Sequence, residues 1–110
     1  MSALRRGSLG TGVPRNFAGE QFTTLIDAPG ACIERIVSLG HVTEPGRWYD
    51  QDRHEWVLVV HGAARLQFEG KAESITLRGG DYIDIPAHCR HRIEWTDPQV
   101  PTVWVAVHYA

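Results

Sequence analysis

The fold of this chain is decided by one apolar run, Glu55-Trp56-Val57-Leu58-Val59-Val60-His61, which is followed by Gly62. Three valines and a tryptophan in seven residues favour a β-strand over a helix, and the glycine predicts a turn directly after the run. Between its polar ends the run is apolar at odd and even positions alike. We therefore expect a strand that is buried on both faces.

The rest of the chain from Phe17 onward repeats this pattern of short apolar segments separated by Gly, Pro and Asp turns. Closely spaced short strands are typical of an all-β sandwich or barrel. No segment keeps an apolar period of about 3.6 residues, so we expect little helix. The predicted strands cover residues 22–27, 32–39, 55–61, 64–69, 74–77, 82–85, 91–95 and 102–109.

Length and composition restrict the class of protein. A chain of 110 residues, 43% hydrophobic and 22% charged, is sufficient for one domain with one core. A net charge of −2 argues against a nucleic-acid partner, and the absence of an apolar run near 20 residues argues against a membrane span. With no apolar leader segment and only Cys32 and Cys89, we expect a cytoplasmic protein with reduced thiols.

The two ends of the chain differ in character. Residues 1–16 contain glycines, a proline and three arginines without an acid, which predicts a flexible N-terminal arm before a domain at 17–110. The alternative is an arm that crosses onto a partner subunit. The segments 55–61 and 102–109 are both apolar on two faces, and a second copy of the chain is the simplest cover for their outer faces. A homodimer is therefore expected.

Ionisable side chains are concentrated in two stretches, residues 46–55 and 85–95, a combination of imidazole and carboxylate groups that suits divalent first-row metals. Because neighbours in a strand point to opposite faces, an inward Glu55 directs His54 outward. By the same alternation an inward His91 directs Trp95 inward. The direction of His88 stays open, as does its part in the site.

The spacing of these residues resembles the two motifs of the cupin family. Glu55 is followed after six residues by Gly62, as in the first motif. Gly80 is followed after five residues by Pro86, which leads to His91 at the spacing of the second motif. The match covers residues 55–95 well. The resemblance implies a single jelly-roll-type β-barrel domain.

In metal-bearing cupins, a His-x-His pair, the glutamate and the second-motif histidine hold the ion. Here the His-x-His positions fall on Trp48 and Asp50 if four residues separate them from Glu55, or on Tyr49 and Gln51 if three do. The resemblance thus implies a divalent ion (iron, manganese, nickel or zinc), and the predicted metal ligands are Glu55, His91 and Asp50. The predicted ligand-binding residues are Trp48, Gln51, Tyr82 and Trp95.

Two functions remain open from the sequence. One is a small metal-dependent enzyme whose substrate is a small molecule, since a barrel of this size holds one small ligand. The other is a non-catalytic module that binds or senses a small polar or sugar-like molecule without metal. The position of Asp50 distinguishes them: contact with Glu55 and His91 favours the enzyme, and a solvent-facing Asp50 favours the binding module.

Overall fold

The computed structural model describes residues 3–14 and 17–110. These residues form eight strands and no helix, which confirms the predicted all-β class. Every predicted strand boundary is within one residue of the observed one. The strands are β1 (Gln21–Ala28), β2 (Ala31–Ser38), β3 (His54–His61), β4 (Ala63–Phe68), β5 (Ile75–Arg78), β6 (Tyr82–Ile85), β7 (His91–Thr96) and β8 (Thr102–Tyr109).

The strands are arranged in two antiparallel sheets of the jelly-roll type. One sheet has the order β1-β2-β8-β3-β6 and the other has the order β5-β4-β7. The ladders of the described residues do not close the two sheets into one continuous barrel. Strand β8 lies in the centre of the larger sheet, between β2 and β3. This position explains why residues 102–109 are so apolar.

The core lies between the two sheets and is built by strand alternation. Val57 and Val59 of β3 and Trp104 of β8 face Leu66 of β4, and each is at most 5% exposed. Full burial of one such side chain contributes about 1.5–3 kcal/mol. The outer face of β3 is partly open in the single chain, where Val60 is 38% exposed.

Gly62 forms the turn from β3 to β4 and has a φ of +95°. A Cβ atom there would lie 2.7 Å from Cα of Thr102 and 2.5 Å from its Oγ1. The turn is pressed against the start of β8, so the glycine of the first motif is required both for its backbone angle and for its lack of a side chain.

The N-terminal segment lies along β2 without forming a strand. Arg35 on β2 donates through Nη1 to the carbonyl oxygens of Leu9 and Thr11, at 3.1 and 2.6 Å. The predicted boundary between arm and domain involves residues 15 and 16, which, like residues 1 and 2, lie outside the described residues. Both cysteines are free thiols. In the described part of the chain, no helix is long and apolar enough to cross a membrane.

Candidate functional site

A cavity opens between the two sheets and encloses, with its mouth, about 590 Å³. Of this, about 100 Å³ is open to the centres of water-sized molecules, several times the roughly 10–15 Å³ that one water needs, so one small molecule fits. Its apolar lining is formed by Phe22, Ile36, Val57, Leu66, Ile85, Ile93 and Trp104. Its polar and ionisable lining is formed by Glu20, Glu34, Tyr49, Gln51, Glu55, His91 and His108.

Three of the ionisable groups in the cavity are carried by strands of the larger sheet. Glu55 on β3 is directly opposite His108 on β8, so both side chains point to the same face. Glu34 on β2 pairs with Ala106 of β8, which is two residues before His108 and therefore on the same face of the sheet. Nε2 of His108 lies 2.9 Å from Oε1 of Glu34 and 3.8 Å from Oε2 of Glu55.

His91 reaches the same cavity from the smaller sheet. It begins β7 and forms an isolated bridge with Tyr49, whose N–H donates to the His91 carbonyl at 2.7 Å. Nδ1 of His91 lies 2.9 Å from the carbonyl oxygen of Cys89. A carbonyl only accepts, so Nδ1 carries a proton and Nε2 is the nitrogen that gains or loses one. This Nε2 lies 3.6 Å from Oε1 of Glu55.

The protonation of His91 is set by opposing influences. Burial, the largest single influence, lowers its pKa, whereas the Glu55 carboxylate and the Cys89 carbonyl raise it. The raising influences together are larger, so the pKa of His91 lies above the ordinary 6.5. Folding therefore shifts His91 toward its imidazolium form relative to the unfolded chain.

Glu55 is the central group of this cluster. Its side chain is 10% exposed, and its two oxygens lie between the two histidines at 3.6 and 3.8 Å. Both separations exceed an ordinary hydrogen bond. The order across the cavity is therefore His91, Glu55, His108 and Glu34, with the only short contact at the last pair.

Glu20 and Tyr49 are the other ionisable groups that line the cavity. The Ser38 hydroxyl donates to Glu20 and accepts a hydrogen bond from Nε1 of Trp104 at 3.1 Å. Burial, followed by the negative charge of Glu20, raises the pKa of Tyr49 above 10.0, so its phenol stays protonated. Glu20 is thus bonded within the cavity wall, and Tyr49 contributes a neutral phenol.

Three of the predicted site residues, Glu55, His91 and Gln51, line this one cavity. Asp50 does not line it, because strand-like alternation after the Tyr49 bridge turns Gln51 inward and Asp50 outward. The Asp50 carboxylate instead lies 2.9 Å from Nδ1 of His88 in an exposed pair. The His-x-His positions of the motif are therefore occupied by Tyr49 and Gln51.

The aromatic residues predicted to bind ligand lie elsewhere. Trp48 lines a separate surface cleft with Arg47. Tyr82 is 65% exposed on the outer face and lies against Trp56, with ring centroids 5.5 Å apart.

Trp95 also lies outside the cavity, so its predicted inward direction is wrong. A register shift between β4 and β7 pairs Ile93 with Leu66 but Trp95 with Arg65, which reverses the alternation at Glu94. The Arg65 guanidinium lies 5.6 Å from the centroid of the Trp95 ring.

His54 and His88 also lie outside the cavity. Nδ1 of His54 accepts a hydrogen bond from the Ala87 N–H at 3.0 Å, on the opposite face from Glu55. His88 has a φ of +63°, the left-handed region that favours glycine. The second cupin motif has its glycine at this position, so the backbone shape is kept although the residue differs.

Sequence reasoning did not select Glu20, Glu34 or His108 as site residues. Alternation in β8 was an available signal, since His108 shares a face with Trp104 and Ala106. An acid at position 34, between the apolar residues Cys32 and Ile36 of the same strand face, was a second signal.

The residues present do not fit the metal centre that the family implies. Two of its four ligand positions hold a phenol and an amide, which are poorer donors than imidazole for these ions. Across residues 3–14 and 17–110, no group of three or more His, Cys, Asp or Glu side chains is arranged to hold a metal ion. The predicted third ligand, Asp50, is bonded to His88 instead.

This fold and these motif positions define a class of protein. The cupin domain model matches residues 37–108, and the chain belongs to the cupin family. None of the curated proteins matches the chain significantly.

Solved structures are similar to the chain over nearly its full length. A candidate mannose-6-phosphate isomerase from Ralstonia eutropha JMP134 shares 45% identity with a TM-score of 0.94, covering 96% of this chain and 98% of that one. The protein TT1209 from Thermus thermophilus has a TM-score of 0.77 at 13% identity, covering 96% and 97%. The cupin domain of Schizosaccharomyces pombe Cnp3 has a TM-score of 0.75 at 11% identity, covering 94% and 67%. The last two share only the fold.

Proposed function

We propose that this protein binds one small organic molecule in the cavity between its sheets, without a metal ion held by the protein. The observation that carries this proposal is the buried Glu55 carboxylate, which lies between two histidine nitrogens at 3.6 and 3.8 Å, within ion-pair distance but beyond an ordinary hydrogen bond. A buried carboxylate is stabilised when it accepts hydrogen bonds. A bound molecule with donor groups would supply them, while the apolar lining would hold its carbon skeleton.

Ligand screening by protein NMR tests this proposal. The panel contains sugars, amines, carboxylic acids and their phosphates, with a chelator present throughout. We expect at least one compound to shift the indole N–H resonance of Trp104, which lines the cavity, and not that of Trp56, which lies outside it. Binding should weaken in Glu55→Gln and persist in the matched outer-face variant Tyr82→Phe.

Metal analysis of the purified protein tests the alternative, which is a metal-dependent site. Untagged protein is analysed for bound metal beside His91→Ala, before and after reconstitution with iron, manganese, nickel and zinc. Near-stoichiometric metal that is lost in the variant, together with ligand binding only in its presence, would overturn the proposal in favour of a metal-dependent site.

A second candidate function is proton transfer on the bound molecule. It is favoured by His91, whose Nδ1 is held by a carbonyl and whose Nε2 faces Glu55 and the cavity. The Ralstonia relative is described as an isomerase, and aldose–ketose isomerisation moves a proton between adjacent carbons without a co-reactant. Incorporation of solvent deuterium into mannose or mannose 6-phosphate, lost in both Glu55→Gln and His91→Gln, would support catalysis. No incorporation would leave binding alone.

We also propose that two copies of the chain associate through the outer face of the larger sheet. The register aligns Ile33, Val107 and Trp56 across β2, β8 and β3, and Ile26 of β1 extends this row. Ile26 is 43% exposed in the single chain. Light scattering at micromolar concentration should give the mass of a dimer, and Trp56→Glu should reduce it; a monomer mass for the parent would refute this.

A further inference from the structure

The ionisable groups that line the cavity give it a negative charge, which the resemblance to the cupin family does not predict. Its described lining includes three carboxylates, from Glu20, Glu34 and Glu55, and no lysine or arginine. His91 and His108 can add at most two positive charges. The cavity therefore keeps at least one unit of negative charge in any state that leaves the three carboxylates ionised.

Two of the three carboxylates are already bound to protein groups. Glu20 accepts the Ser38 hydroxyl, and Glu34 lies 2.9 Å from Nε2 of His108. Glu55 differs, because its side chain is nine-tenths buried while its nearest imidazole nitrogens are 3.6 and 3.8 Å away. Neither imidazole is at hydrogen-bond distance from the carboxylate, so a charged donor on a bound molecule can still take that position.

We propose that the molecule bound in this cavity carries a primary ammonium group, and that Glu55 receives this group. The inference rests on the proposed small-molecule function and names the chemical class of its ligand. Three N–H donors on one nitrogen match a carboxylate that lies between two imidazoles. The rings of Tyr49 and Trp104 line the same cavity, and aromatic faces attract cations.

The same lining disfavours a phosphate ester. Phosphate is bound in proteins by arginine, lysine or backbone N–H groups, and its charge would be repelled by the carboxylates. Mannose 6-phosphate, the substrate named for the Ralstonia relative, is therefore expected to be a poor ligand here.

A matched series of probes isolates the effect of charge. We would measure the binding of n-butylammonium, n-butanol and n-butyl phosphate at pH 8 with a chelator present, using the Trp104 indole resonance, and mannose 6-phosphate in parallel. The alkyl chain is constant, so differences in affinity report the head group. We expect n-butylammonium to bind at least about tenfold more tightly than n-butanol, because it gains one charge-assisted hydrogen bond to Glu55. We expect n-butyl phosphate to bind most weakly, because its negative charge is repelled by the carboxylates.

Variants locate the ammonium group. Glu55→Gln should reduce n-butylammonium affinity about tenfold and leave n-butanol affinity nearly unchanged. The matched control is Glu69→Gln, which removes a carboxylate that is paired with Arg90 on the surface and lies outside the cavity. It should change neither affinity.

The outcomes separate the inference from the function on which it rests. Tighter binding of n-butyl phosphate or mannose 6-phosphate than of n-butylammonium would overturn the ammonium assignment while the small-molecule function stands. Binding of n-butylammonium that Glu55→Gln does not weaken would also overturn it. If no probe of this series and no compound of the wider panel shifts Trp104, both fail together.

Discussion

Replacing Gly62 by alanine should destabilise the protein far more than the same change at Gly70. Both glycines have positive φ, +95° and +82°, so alanine is strained at each by about 1–3 kcal/mol. Alanine also lowers the conformational entropy of the unfolded chain, which offsets roughly 0.4–1 kcal/mol of this strain at both positions. The middle of the two ranges leaves a shared backbone cost of about 1–2 kcal/mol.

The two positions differ in the space around the new methyl group. At Gly70 no atom lies within 4 Å of the added Cβ, whereas at Gly62 Cα of Thr102 lies at 2.7 Å. A backbone atom cannot rotate away, so the turn or β8 must shift, which costs a further amount of about 1–3 kcal/mol. We expect a total loss of about 2–5 kcal/mol for Gly62→Ala.

Urea denaturation followed by tryptophan fluorescence, at one fixed protein concentration, measures both variants. A difference of about 2 kcal/mol between them corresponds to a gap of roughly 8 °C in melting temperature. Equal losses of stability for Gly62→Ala and Gly70→Ala would refute the steric argument, and a larger loss at Gly70 would refute the described turn as well.

Three further predictions concern the site and its surroundings. The pKa of His91 is raised in the folded state, so its contribution to stability is full below about pH 6.5 and is lost as the pH rises through the folded pKa. The free energy of unfolding should therefore fall less between pH 6 and 8 in His91→Gln than in the parent protein. An unchanged dependence of that free energy on pH would contradict the pairing with Glu55. His88→Gly should be more stable than His88→Ala by about 1 kcal/mol, because alanine keeps the left-handed strain and both lose the Asp50 contact; equal melting temperatures would count against the strain. Asp50→Asn should leave ligand affinity unchanged in NMR titrations, since Asp50 lies outside the cavity, and a tenfold loss would restore it as a site residue.

Much of the fold could be predicted because its signals are local. The strand boundaries follow from short β-branched runs and from turns such as Gly62, which act within a few residues. The inward direction of Glu55 and the outward direction of His54 follow from simple alternation.

The site was predicted only in part because its remaining geometry depends on distant contacts. The Tyr49 bridge to His91 decides which of Asp50 and Gln51 enters the cavity, and the two bridge partners are far apart in sequence. The direction of Trp95 depends on a register shift against β4, which no pattern within β7 reveals. Local spacing identified the motif, and long-range pairing selected its side chains.

The central position of β8 has a consequence for the order in which the molecule is assembled. Strands β2 and β3 do not pair with each other, so the larger sheet has no middle until residues 102–109 have been synthesised. Contacts of such long sequence separation form slowly, and the preceding strands expose unpaired edges while they wait. Because His108 and Trp104 are carried by the same strand, a nascent or truncated chain that lacks β8 would lose two residues of the cavity lining together with the middle of the sheet.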